Sequence, residues 1–297
     1  MDVLVVGAGG LLGSNLVETA INRELSTAGS YHSSTPAFDI PLFQFDVQET
    51  GRFEAILDKV DPSTVVNCAA LTDVDACENH PNLAQAINAD APKAMAYHCS
   101  ERDIDFTHIS TDYIFDGKSD ERYHEESAPN PIQTYGESKL EGDQNVRVAH
   151  SSPLLVRPSF VYGVNRSGET SMLEGFPAWV RSQLTAGADV PLFVDQHVTP
   201  SRAGSTAEVL LDLVDDGATG TYNIAAQSCV TPYEFGHVIA EQMGTGVDSL
   251  VKGSQSDVDR PAARPTNTCL DIKKVEAHLG RPQPTVTEDV HAIASYL

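Results

Sequence analysis

The first thirteen residues narrow the fold more than any other stretch. Val3-Leu4-Val5-Val6 is a short apolar run that ends in Gly7-Ala8-Gly9-Gly10-Leu11-Leu12-Gly13, which reads as strand, tight turn and helix. Glycines at 7, 10 and 13 permit positive φ in the turn, remove the Cβ that would obstruct a pyrophosphate, and let the next helix pack close to the strand. That helix begins with unpaired N–H groups suited to phosphate, and Leu11, Leu12, Leu16, Val17, Ala20 and Ile21 recur at helical spacing. The segment predicts a dinucleotide site at Gly7, Gly10, Leu11, Leu12 and Gly13.

Further apolar runs at 42–45, 64–68, 106–110 and 154–157 alternate with helical patterns at 48–59, 82–99 and 134–149. Such alternation predicts an α/β fold, a Rossmann-type doubly wound parallel sheet. Loops are expected at 33–36, 116–131 and 165–170. Beyond Pro158 the pattern is less regular, with helices near 174–186, 203–215, 231–243 and 286–296 and a strand from Thr221 to Ile224. We expect a dinucleotide-binding domain of residues 1–160 plus roughly 198–226, and a smaller C-terminal substrate-binding lobe of 161–197 and 227–297.

The 297 residues include 42 acidic and 19 basic ones, a net charge of −23, and seven of the basic residues are lysines. The acidic residues are dispersed, as on a folded surface, in a pattern that resembles salt-in halophiles, where concentrated cations screen self-repulsion. No basic stripe exists to neutralise a nucleic acid. No run approaches the ~18–20 apolar residues of a membrane helix, and a strand starting at Asp2 leaves no room for a cleaved presequence, so a cytoplasmic location is expected. Cys68, Cys77, Cys99, Cys229 and Cys269 are widely spaced, without a C-x-x-C pair, which predicts free, mostly buried thiols. The ten histidines include no pair spaced to put two ligands on one helix face, and no metal is expected.

Tyr135 and Lys139 lie one helical turn apart if 134–149 is a helix. A phenol beside an ammonium can act as acid or base near neutrality, because the cation favours the phenolate. Taken alone, the pair is more readily a surface tyrosine with a solvated lysine, since so short a spacing arises by chance.

Together with the glycine turn, Asp46-Val47, Val66–Thr72 with Asp75 and Glu78, Ile87-Asn88, Ser110-Thr111-Asp112-Tyr113, Tyr135-Gly-Glu-Ser-Lys139, Arg157-x-Ser159-Phe160-Val-Tyr162-Gly163, Asp195-Gln196-x-x-x-Pro200 and Arg264-Pro265-x-Asn267, the chain resembles the extended short-chain dehydrogenase/reductases, specifically the dTDP-4-dehydrorhamnose reductases. The resemblance spans nearly the whole chain. It implies that Asp46 and Val47 meet the adenine, that Ala69, Ala70, Leu71 and Thr72 pass the cofactor, and that Thr111, Tyr135 and Lys139 are catalytic. In that scheme Thr111 holds the substrate carbonyl, while Lys139 binds the nicotinamide ribose and lowers the Tyr135 pKa. Asp112, Phe160, Gln196 and Arg264 become contacts to a nucleoside-diphosphate sugar. The implied reaction is reduction of the C4 keto group of a nucleoside-diphosphate 4-keto-6-deoxyhexose. The stretch Gly29–Ser34 carries no acid to bind a ribose 2′-hydroxyl, so NADPH is expected, with NADH as second choice.

Neighbouring readings differ at identifiable residues. Nucleotide-sugar dehydratases carry Asp-Glu after this threonine, whereas Thr111 is followed by Asp112-Tyr113; epimerases of the family form a further alternative. A non-catalytic dinucleotide-binding regulatory subunit would be expected to lack the Tyr/Lys pair. Phe160 stands where the reductases usually have tryptophan. Asn15 stands where some have a metal-binding glutamate at a dimer interface, so the metal is not carried over; a homodimer stays open as an alternative, though not one built on that glutamate.

Overall fold

The computed structural model describes residues 1–297. In chain order its strands are β1 (Val3–Val6), β2 (Thr27–Tyr31), β3 (Leu42–Gln44), β4 (Thr64–Asn67), β5 (Asp105–Ile109), β6 (Leu154–Arg157), β7 (Val161–Asn165), β8 (Met172–Glu174), β9 (Val190–Phe193), β10 (Ser201–Arg202), β11 (Gly220–Asn223) and β12 (Leu250–Gly253). The helices are α1 (Leu11–Asn22), α2 (Thr50–Val60), α3 (Val74–Asn79), α4 (Pro81–Gln85), α5 (Ala91–Ser100), α6 (Thr134–Ala149), α7 (Phe176–Thr185), α8 (Ala203–Asp215), α9 (Pro232–Gln242), α10 (Lys273–Leu279) and α11 (Val286–His291).

Seven strands form one parallel sheet in the order β11-β6-β5-β4-β1-β2-β3. Both faces are covered, so β1 is apolar throughout instead of alternating. Val3 and Val5 enter one core cluster, and Leu4 and Val6 the cluster on the opposite face. The strand order reverses between β1 and β4, and ligands of such sheets bind in the crevice outside the strand ends at that switch point. The Gly7 turn and Ala69-Ala70 lie there.

The helix expected over 82–99 is broken into α4, a π turn at Ala86–Asp90, and α5. That turn carries Asn88, whose side chain bonds both backbone groups of Leu71 and the Ser138 hydroxyl. A third core collects Tyr162, Leu173, Val180, Leu192, Phe235, Ile239, Leu250 and Val290. Around it lie a three-stranded sheet β10-β7-β8 and a pair β12-β9. Leu270, Ile272 and Val275 nevertheless belong to a core cluster of the large sheet, so the chain returns to the first lobe near its end. Arg202 of β10 pairs with the buried Asp289 of α11 at 2.7 Å. No helix is long and apolar enough to cross a membrane.

The cysteine expectation needs correction. Cys229 and Cys269 form a disulfide, while Cys68, Cys77 and Cys99 are free. Two single bridges, Val198 with Val230 and His197 with Asn267, bring the segments around 230 and 267 to one short stretch. That tertiary pairing, across 40 residues, leaves no trace in cysteine spacing. Asn15 is buried and donates to the Val164 carbonyl at 2.9 Å, so its side chain serves the interface between lobes.

Candidate active site

Three contiguous cavities, of about 320, 620 and 460 Å³, cross the carboxyl ends of the strands. Ala70 borders the first and second; Tyr113, Phe160 and Phe176 border the second and third.

The first is walled by Gly7, Tyr31, His32, Asp46, Val47 and Ala69. The second opens on Gly10, Leu11, Leu12, Gly13, Ala70 and Thr72. Gly7 has φ +86, and a Cβ on Gly13 would overlap the Gly7 carbonyl oxygen, so the strand and α1 meet only because neither carries a side chain. No side chain caps α1 and no acid occupies its first turn. The amides of Leu11, Leu12 and Gly13 have no backbone acceptor. These orphan donors and the positive helix end suit a diphosphate, and the chain's residues fit a dinucleotide here. Leu71 is set apart from the other expected contacts, because both its backbone groups are engaged by Asn88.

In the second cavity Thr111, Tyr135 and Lys139 converge. The α6 face turned into the protein is polar, with Ser138, Lys139 and Asp143 buried, an arrangement that packing alone does not favour. Its N-cap Gln133 makes no side-chain cap bond. Glu78 of α3 substitutes, accepting from the Thr134 amide at 2.7 Å and its hydroxyl at 2.9 Å. A Cβ on Gly136 would overlap the Tyr113 carbonyl oxygen, so glycine next to Tyr135 allows the helix to reach the Asp112 turn.

Burial pushes the Tyr135 phenol above its ordinary value, against a hydrogen bond with Thr111; the Asp112 charge raises it further. The phenol is therefore protonated at neutral pH. Lys139 is engaged by other groups. Its Nζ donates to the Ile109 carbonyl at 2.5 Å and lies 3.4 Å from His108 Nε2. Burial draws Lys139 down to about 8, opposed by Asp143 one turn further along α6. Burial and the Lys139 charge hold His108 well below its ordinary value, so its ring is neutral. Asp112 differs from expectation too. It borders the cavity, but Oδ2 accepts from Ser159 at 2.7 Å and Oδ1 from Thr111 at 3.1 Å, so these bonds hold the carboxylate inward.

The third cavity is aromatic, lined by Phe160, Phe176, Trp179 and Phe193, with Gln196, Arg260 and Arg264 as polar groups. Phe160 adopts φ +47, a conformation that costs a non-glycine residue on the order of 1–3 kcal/mol and collects at functional sites. It sets the ring against Phe176 and Phe235, at the junction of two cavities. Arg264 makes a two-pronged pair with Asp75, at 3.2 and 3.0 Å. Gln196 is buried, and it shares the cavity wall with Tyr113.

Comparison with known proteins assigns the chain to a family. The model of the RmlD substrate binding domain matches residues 1–297. The chain belongs to the RmlD substrate-binding domain family. A Haloferax volcanii protein named "probable low-salt glycan biosynthesis reductase Agl14" is 49% identical, covering 99% of this chain and 97% of its own length. The dTDP-4-dehydrorhamnose reductase of Mycobacterium tuberculosis is 30% identical over 92% of this chain and 85% of its own. The solved dTDP-4-dehydrorhamnose reductase of Clostridium acetobutylicum superposes with a TM-score of 0.85 at 26% identity, covering 99% of both chains.

Several walls of this RmlD-family site escaped the sequence reading. Phe176 and Trp179 lie on α7 and Phe193 ends β9, and nothing in the sequence marked them or Arg260 as walls of one cavity, although Trp179 is the sole tryptophan. His108 lies inside an apolar strand, where its position beneath Lys139 was the missing signal.

Proposed function

We propose that the chain is an NADPH-dependent reductase of the C4 keto group of a nucleoside-diphosphate 4-keto-6-deoxyhexose, converting dTDP-4-dehydrorhamnose to dTDP-L-rhamnose, with NADH as the lesser cofactor. The observation that carries this reading is a protonated tyrosine, Tyr135, in the middle of a trench with a glycine-walled helix end on one side and an aromatic, arginine-bearing pocket on the other.

Leu11, Leu12 and Gly13 would bind the dinucleotide phosphates through their amides, and Asp46 and Val47 would border its adenine. When bound, the nicotinamide supplies the hydride. Tyr135 gives its proton to the oxygen that gains charge as the carbonyl is reduced; its raised pKa keeps that proton in place beforehand, as a general acid requires. Lys139, still largely an ammonium at neutral pH, supplies a donor for the ribose. The aromatic rings of Phe160, Phe176 and Trp179 would cover the base and sugar, and Arg260 and Arg264 supply positive charge for the diphosphate. The two acids that dehydration needs after Thr111 are not both present, which supports reduction over elimination.

The test is oxidation of NADPH and NADH in molar salt with dTDP-4-dehydro-6-deoxy-L-mannose, comparing the unaltered chain with Tyr135→Phe. Turnover reduced by ~10²–10⁴ in the variant is expected. Tight dinucleotide binding without turnover in the unaltered chain would overturn the reading.

A further inference from the structure

The end of β7 and the turn after it lie outside the seven-stranded sheet, yet four consecutive residues there grip the segments around the glycine turn. The Val164 carbonyl accepts from Asn15 at 2.9 Å, Asn165 donates to the Gly9 carbonyl at 3.3 Å, the Arg166 amide donates to Ser14 Oγ at 3.0 Å, and the Ser167 carbonyl accepts from the Ala37 amide at 2.6 Å. Asn165 is the one that reaches the turn with its side chain. An amide nitrogen carries two hydrogens, and both are engaged: one by Gly9, the other by Glu174 Oε1 of β8 at 3.0 Å. Its Oδ1 accepts from the Ser167 amide at 2.9 Å, which fixes the nitrogen as the end that faces the two oxygens. The Gly9 carbonyl receives no backbone donor, and Glu174 has no other side-chain or amide partner. Asn165 alone satisfies both.

We propose that Asn165 is a positioning residue of the dinucleotide site, one that holds the Gly9 carbonyl and the Glu174 carboxylate to each other so that neither oxygen meets the diphosphate. The inference rests on the reading of the glycine turn as a dinucleotide site and is independent of the sugar. Gly7 and Gly10 border the first and second cavities, whereas Gly9 between them borders neither, so its carbonyl is turned away on the side where Asn165 stands. Glu174 does border the second cavity, together with Gly10, Leu11, Leu12 and Gly13. What α1 offers a diphosphate there is N–H groups and a positive helix end, and a free carboxylate or carbonyl oxygen swung into the same space would oppose both. Lys139 is the only basic side chain bordering that cavity, and it is turned to Ile109 and His108. The amide of Asn165 is therefore what offsets the carboxylate, and it does so with the same nitrogen that holds the turn.

The experiment is a fluorescence titration of NADPH and NADH, without sugar, on the unaltered chain, Asn165→Ala, Asn165→Asp, Glu174→Gln and the double variants, each also melted to check that it folds. Asn165→Ala is expected to raise Kd by about tenfold. Asn165→Asp raises it further, by about tenfold again, because it keeps the acceptor for Ser167 but sets a second carboxylate against Glu174 and Gly9. Glu174→Gln alone lowers Kd by less than about threefold, since its amide oxygen still accepts from Asn165. In the Asn165→Asp background the same substitution recovers about tenfold, a coupling between the two sites that a packing role for Asn165 would not produce. Should Asn165→Asp fail to fold, the comparison moves to Asn165→Ala with and without Glu174→Gln, where a recovery of about threefold or more is expected. A Kd for Asn165→Ala within about twofold of the unaltered chain, or a Glu174→Gln effect that is the same in every background, overturns the proposal. Absence of NADPH and NADH binding by the unaltered chain would overturn the dinucleotide reading and the proposal together, whereas binding without keto-sugar turnover leaves the proposal to be decided by the variants.

Discussion

The two ends of the trench are built by different means. At the dinucleotide end the walls come from short consecutive runs, Gly7–Gly13, Asp46-Val47 and Ala69–Thr72, at the ends of parallel strands, and the binding groups are backbone amides and missing side chains. At the aromatic end the walls are side chains drawn from Phe160 ahead of β7, from α7, from β9 and from the 253–264 segment, held by the strained backbone of Phe160 and by the Asp75–Arg264 pair. The first end is fixed by the course of the main chain, and the second by tertiary contacts among residues far apart in sequence. Substitutions at the first end should therefore act on folding and dinucleotide affinity, and those at the second on the sugar nucleotide.

The severest test of this division is Gly13→Val. Its side chain would meet the Gly7 carbonyl, and we expect dinucleotide affinity to fall by ~10²-fold or more, with lost thermal stability, measured by fluorescence titration and melting. Asp75→Asn comes next: it frees Arg264 from its partner, and the KM for the sugar nucleotide is expected to change by about tenfold while dinucleotide Kd stays within twofold. A matching change in Kd would erase the distinction between the two ends. The proton balance offers a sharper version. Lys139 is charged below its value of about 8 and neutral above it, so dinucleotide affinity should decline as pH rises through that value, with a flat profile in Lys139→Met. Reduction of Cys229–Cys269, which closes a 40-residue span, should cost ~2–4 kcal/mol of stability and leave dinucleotide Kd unchanged. The smallest effect is expected of Phe160→Trp, a few-fold change in KM for the sugar nucleotide as an indole N–H enters the pocket.

The same division explains what could be read from the sequence. The glycine turn, the alternating strands and the Tyr135–Lys139 spacing are local patterns, and each found its element or its cavity. The C-terminal half resisted because its strands are short: Met172–Glu174 and Ser201–Arg202 offer too few residues for a period. Asp75 and Glu78 were visible as landmarks, but their partners, Arg264 and Thr134, could be named only in three dimensions. Asp112 read as a substrate contact because Ser159, whose hydroxyl holds its carboxylate inward, lies 47 residues away. Burial, more than the nearby lysine, governs Tyr135, and burial is not written in a four-residue spacing.

Helix α3 is six residues long and none of its polar groups lines the Tyr135 cavity, yet it holds two parts of the trench. Asp75 near its start holds Arg264 at the edge of the aromatic pocket, and Glu78 one turn later caps the helix that carries Tyr135. In mechanical terms it is a crossbar between the arginine-bearing edge of the aromatic pocket and the helix that carries Tyr135. Lengthening or tilting it would misalign both at once, so an insertion between Asp73 and Asn79 should cost more activity than its distance from the chemistry suggests.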